Sequence, residues 1–205
     1  MGEKSETIRT WGSLRAAAFG SVAAVFLGSL VLMVSLLAIS PSVVSPHETP
    51  GLIGEVDKVE YYLPYPGVLP DSPLYKLKAV RDKVLLLVIL DPEKKADKQL
   101  FLADKRINAA QALHDGGKVD LAISVATKAE KYMESSVKAA VKLASEGKDV
   151  KSILYKQTMA TLKHIELLNG FKAKSEGAQG LVLEQTIAEV DALHKLADQA
   201  LIESK

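Results

Sequence analysis

The sequence predicts an all-α protein: an N-terminal transmembrane helix, then a Pro-rich neck, then an antiparallel bundle of about five helices. Three observations carry that expectation. Residues 16–39 are uncharged and mostly aliphatic, and seven of the eight prolines lie between Pro41 and Pro73. Beyond them, small and apolar residues recur at alternating spacings of three and four, the signature of a buried helix seam. Composition agrees with this division. Hydrophobic residues make up 48% of the 205-residue chain but aromatics only 5%, so the apolar excess is aliphatic and concentrated near the N-terminus.

The run 16–39 is long enough to span a hydrocarbon core of about 30 Å at about 1.5 Å per residue. A cleaved signal peptide competes with this reading, because Lys4, Arg9 and Arg15 precede the run. Signal-peptide apolar cores are shorter, about 7–15 residues. The small-residue cleavage points after Ser40 and Ser45 are each followed by proline, so a retained anchor is favoured. The basic flank sets the topology: residues 1–15 form a cytoplasmic tail, and everything after the span is extracytoplasmic. The expectation is a single-pass cell-membrane protein with the lipid bilayer as its first partner. Ala16, Gly20, Ala24 and Gly28 recur every four residues and offer a small-residue stripe for homodimerisation through the membrane helix.

Residues 40–70 form the linker. Proline fixes φ and removes a backbone donor, so this stretch is an extended tether and not a folded layer. Its second half is more specific. Tyr61, Tyr62, Tyr65 and Tyr75 are interleaved with Leu63, Pro64, Pro66, Leu69, Pro70 and Pro73. Such a segment can lie as a strap across a helical surface, or present a Pro/Tyr motif to a partner's groove. The strap is the favoured reading, and the four tyrosines are the interaction candidates.

The run from Tyr62 through Leu63-Pro64-Tyr65-Pro66-Gly67, Leu69-Pro70-Asp71-Ser72-Pro73-Leu74-Tyr75 and Leu77-Lys78, then Arg81-Asp82, Asp91-Pro92-Glu93-Lys94-Lys95-Ala96 and Ala103-Asp104-Lys105-Arg106, resembles a prokaryotic family of uncharacterised, usually membrane-anchored exported helical domains, a domain of unknown function. The resemblance covers residues 61–112. It implies an extracytoplasmic helical domain and carries no catalytic residues with it.

Residues 71–205 are read as the bundle. Asp71 or Ser72 followed by Pro73 predicts a first helix start, and Asp91-Pro92-Glu93 predicts a second by the same cap-then-proline logic. The helix over 92–114 aligns Ala96, Leu100, Ala103, Ile107 and Ala110; that over 119–145 aligns Ala122, Ala126, Ala129, Met133, Ser136, Ala140 and Leu143. The helix over 150–169 aligns Val150, Leu154, Gln157, Thr161, His164 and Leu168, and that over 180–202 aligns Leu183, Ile187, Val190, His194, Ala197 and Leu201. Glycines 116, 117, 147, 170, 177 and 180 are read as the breaks between them. Residues 84–90, apolar all round but too short to span a bilayer, are read as a helix end buried on every side, with contact to a membrane or partner as the alternative.

The chemistry the chain can carry is narrow. A net charge of +1 leaves no field for nucleic acid, and the absence of cysteine excludes disulfides, thiolate nucleophiles and cysteine-ligated metal. No nucleophile elbow, phosphate-binding glycine loop or zincin helix is present, so the expectation is a protein that is not an enzyme and has no cofactor. His164, His194 and Asp191 are weak metal candidates, because Asp191 and His194 share a helical face. A lysine-rich segment, 116–175, and an acidic one, 176–205, could pair across helices or simply form solvated faces. The functional expectation is an extracytoplasmic interaction or structural module whose partner is an envelope protein or polymer. The alternative is a ligand- or metal-sensing bundle that signals through the anchor.

Overall fold

The computed structural model describes residues 59–204. The predicted anchor, its Ala16, Gly20, Ala24 and Gly28 stripe, and the linker up to residue 58 lie outside the described residues. Within them the protein is all-helical, with five helices and no strand: α1 Tyr75–Val88, α2 Pro92–Asp115, α3 Val119–Ser145, α4 Lys151–Lys172 and α5 Gly177–Glu203. None of these is long and apolar enough to cross a membrane.

Two hairpins, α2–α3 and α4–α5, make the bundle, with α3 contacting both members of the second hairpin. The helices alternate in direction. Ala96 near the start of α2 packs with Ala140 and Leu143 near the end of α3, Val150 and Leu154 at the start of α4, and Ala200 near the end of α5. The opposite end is filled by Ile107, Leu113, Ala122, Ala126, Leu168, Phe171 and Leu183. Alanines along α2 and α3 (Ala96, Ala103, Ala110, Ala122, Ala126, Ala129) are all buried, so the two backbones approach closely over a narrow seam.

The local signals act as elementary chemistry requires. Asp91 caps α2, its carboxylate accepting from the amides of Glu93 (3.0 Å) and Lys94 (3.3 Å), with Pro92 in the first turn. Both α2 and α3 close in the same manner: Gly117 N–H donates to the His114 carbonyl and Lys118 N–H to that of Leu113, and Gly147 and Lys148 repeat this on Ala144 and Leu143.

Three expectations are corrected. The first helix starts at Tyr75, not at Pro73, and has no side-chain cap; Ser72 and Pro73 form a turn, and Asp71 pairs with Lys118 instead. Gly170 and Gly180 lie inside helices and not between them. Helix α4 continues through Gly170 because Phe171 is buried in the core and stacks on His114 at 4.7 Å, which outweighs the roughly 1 kcal/mol cost of a helical glycine. The apolar run 84–90 is not buried on every side: Leu87, Val88 and Leu90 are exposed. Among the helices α1 packs only against α2, and the side it turns inward is occupied by Asp82.

Ahead of α1 the chain is extended and lies along the bundle. Val59 N–H donates to Glu166 on α4 (3.0 Å), the Pro64 carbonyl accepts from Asn108 on α2 (3.0 Å), and Asp71 meets Lys118 at the α2–α3 loop. Leu63 and Leu69 pack against the core and Pro66 is buried. The strap turns at Gly67, whose φ of +70° no residue with a Cβ adopts without strain. Lys78 of α1 closes that turn, donating to the carbonyls of Pro66 (2.6 Å) and Val68 (3.2 Å).

Candidate functional site

The seam of α4 is polar at three successive positions, Gln157, Thr161 and His164, and all three are buried. Each finds a partner on a neighbouring helix. Gln157 donates to Ser136 on α3 (2.8 Å), which donates to the Ala96 carbonyl on α2 (2.7 Å). Thr161 meets His194 Nδ1 on α5 at 3.1 Å. His164, wholly shielded from solvent, faces Glu130 on α3 through Nδ1 (2.9 Å) and Asp104 on α2 through Nε2 (3.1 Å). The second oxygen of Asp104 accepts from the Tyr61 hydroxyl of the strap at 2.7 Å. One line of hydrogen bonds, Tyr61–Asp104–His164–Glu130, thus joins strap, α2, α3 and α4 at a single level.

Electrostatics fixes the proton positions. Burial by itself would push the His164 pKa down, but the charge of Glu130 and the hydrogen bonds to Asp104 and Glu130 override it and raise it to about 9. An imidazolium donates from both ring nitrogens, which is what two facing carboxylates require. Burial, reinforced by the Asp104 charge, pushes the Tyr61 phenol well above its ordinary range, so it stays a donor. Within these seam contacts Glu130 Oε2 and Gln157 Oε1 are buried without a hydrogen-bond partner, as is His114 Nε2 elsewhere among the described residues. Nothing here resembles an open catalytic site: the charged members are sealed, and the line ends on the strap.

The structure scatters the residues singled out from sequence. His164 lies in the network, but both its nitrogens are occupied by carboxylates. His194 is half-buried against Thr161, and Asp191 pairs with Lys195 at 2.7 Å on its own helix. Among the described residues no group of three or more His, Asp or Glu side chains converges as a metal-binding set. Of the tyrosines, Tyr61 points in, Tyr62 and Tyr65 are 84% and 79% exposed, and Tyr75 is half-buried at the start of α1. The lysine-rich and acidic segments meet through Lys172–Glu184 at 3.4 Å. Lys138 and Asp191 instead pair within their own helices, as solvated faces do.

Sequence reasoning assigned no role to Asp104, Glu130 or Asp82, although Asp104 and Asp82 fall in the motifs that carry the family resemblance. Asp104 and Glu130 each directly follow a seam alanine, Ala103 and Ala129, so they flank the seam at equivalent places on adjacent helices. The available signal was His164 itself, because a histidine on a core seam needs partners on the facing helices.

Residues 67–198 match the family described as a domain of unknown function, DUF5667, reaching far past the 61–112 stretch that suggested a resemblance but leaving Tyr61–Pro66 outside it. No curated protein and no solved structure matches the chain. With a match spanning well over half its length, the chain belongs to the DUF5667 family.

Proposed function

We propose that this protein is a membrane-anchored, extracytoplasmic interaction module of the cell envelope. The reading joins the uncharged segment 16–39 and its basic N-terminal flank to a helical head whose tether is clamped against it. The observation that carries it is the strap. Tyr61, Leu63 and Pro66 turn inward while Tyr62 and Tyr65, between them, turn outward. The strap pays its ordering cost on folding, so two tyrosines are displayed in a fixed arrangement and a partner need not order them. Binding suits this molecule better than catalysis, because its charged network is closed to any substrate.

A photoreactive residue placed at Tyr62 or Tyr65 in living cells tests the reading. The expected result is a discrete adduct with an envelope protein or polymer, absent when the probe is at Tyr155, an exposed tyrosine on α4. Equal, diffuse labelling from all three positions would contradict it.

A further inference from the structure

Helix α1 buries a carboxylate and leaves large apolar side chains exposed. Asp82 is 4% exposed, whereas Leu77 is 65% and Leu87 76% exposed. Leu77, Val80, Val84, Leu87 and Val88 follow the spacing of one helical face, and Asp82 lies on the opposite side. On the inward side Asp82 sits among half-buried Ala79, Leu85 and Leu86; it pairs with Arg81 at 2.8 Å and lies close enough to Lys98 and Lys105 of α2 to act on both electrostatically. A second apolar face is left outward, with Leu77, Val80, Leu87 and Val88 exposed and Val84 half-buried. Leu74 and Leu90 continue that exposed apolar surface at the two ends.

Basic residues border the face. Lys76 and Lys83 run along one edge and Arg81 along the other. This pattern argues against a second copy as the covering partner. A seam spaced like Leu77, Val80, Val84 and Leu87 would place Lys76, Arg81 and Lys83 of two copies beside one another, in either orientation, as like charges. It fits an anionic lipid surface, where apolar side chains enter the acyl boundary and flanking lysines reach up to headgroup phosphates. The tether permits such contact: residues 40–58, between the predicted anchor and Val59, extend at most on the order of 60 Å.

We propose that the Leu77–Val80–Val84–Leu87–Val88 face of α1 docks on an anionic bilayer surface. The proposal deepens the anchored reading and rests on it for bringing α1 close to a membrane.

The chain has no cysteine, so single-cysteine variants of the full protein carry a fluorophore at one known site. Leu77→Cys and Leu87→Cys are compared with Lys131→Cys, exposed on α3, in vesicles of phosphatidylglycerol and phosphatidylcholine containing spin-labelled lipid as quencher. The expected result is severalfold stronger quenching at 77 and 87 than at 131, reduced severalfold in pure phosphatidylcholine and by Lys76→Glu with Lys83→Glu. Quenching at 77 and 87 no greater than at 131 would overturn the proposal. So would excimer formation between pyrene-labelled copies at Leu87→Cys, which would identify a second copy as the occupant. An alkaline carbonate wash separates the two readings. Protein that stays in the vesicles with α1 unquenched retains the anchor and loses the docking face; protein that washes off after showing α1 quenching does the reverse.

Discussion

At the residue scale the protein depends on a buried histidine that must be charged. Replacing His164 by Gln removes the positive charge between Asp104 and Glu130 and is expected to cost about 3–5 kcal/mol, read from denaturant unfolding. Tyr61→Phe removes one donor to Asp104 and is expected to cost about 1.5–3 kcal/mol. The pH dependence follows from the raised His164 value. The folded state holds this proton more tightly than the unfolded chain does, so its contribution is complete below about pH 6.5 and is lost as pH rises through about 9. That loss amounts to about 3 kcal/mol across the interval and is absent in His164→Gln. The comparison is made between the two proteins because Lys78 acts in the opposite sense. Burial first, and then the neighbouring charge of Lys105, lower its pKa to about 8, so its deprotonation above that pH favours the folded state.

At the element scale the strap and α1 are the parts whose behaviour departs from a plain bundle. Alternation along the strap predicts that Leu63→Ala and Leu69→Ala each cost about 1–2 kcal/mol, whereas Tyr62→Ala changes stability by no more than about 0.5 kcal/mol, measured by the same unfolding titration. For α1 the usual expectation is inverted. Asp82→Ala is expected to destabilise by about 1–2 kcal/mol, while Leu87→Lys leaves the melting temperature unchanged.

These contrasts also mark what could be read in advance. Every seam position named on α2 and α3 lies in the core, because a period of three and four over several turns admits one buried face. The α1 orientation was not legible, since a single aspartate among apolar residues does not reveal that it will be buried facing Lys98 and Lys105 of the next helix. Asp104 and Glu130 were hidden for a related reason. An isolated acid beside a seam alanine has the same pattern as a solvated one, and only the packing of three helices brings both to His164. Helix α4 ran on past Gly170 because burial of Phe171 is a tertiary gain, invisible to local propensity.

At the scale of the whole molecule, the chain divides between an aliphatic N-terminal segment and a helical domain with near-zero net charge, the division on which the proposed anchored module rests. The clamp makes the strap part of the head: Val59, Pro64 and Asp71 are each held by a side chain of the bundle. Everything functional in this account depends on the head being outside the cytoplasm. A reporter that is active only outside the cytoplasm, fused after Lys205 of the full-length chain in cells, tests that claim most directly. The expected result is activity comparable to an exported control, with loss of that activity when residues 16–39 are deleted. An inactive reporter on intact, folded fusion protein, with a cytoplasm-specific reporter active at the same position, would contradict it.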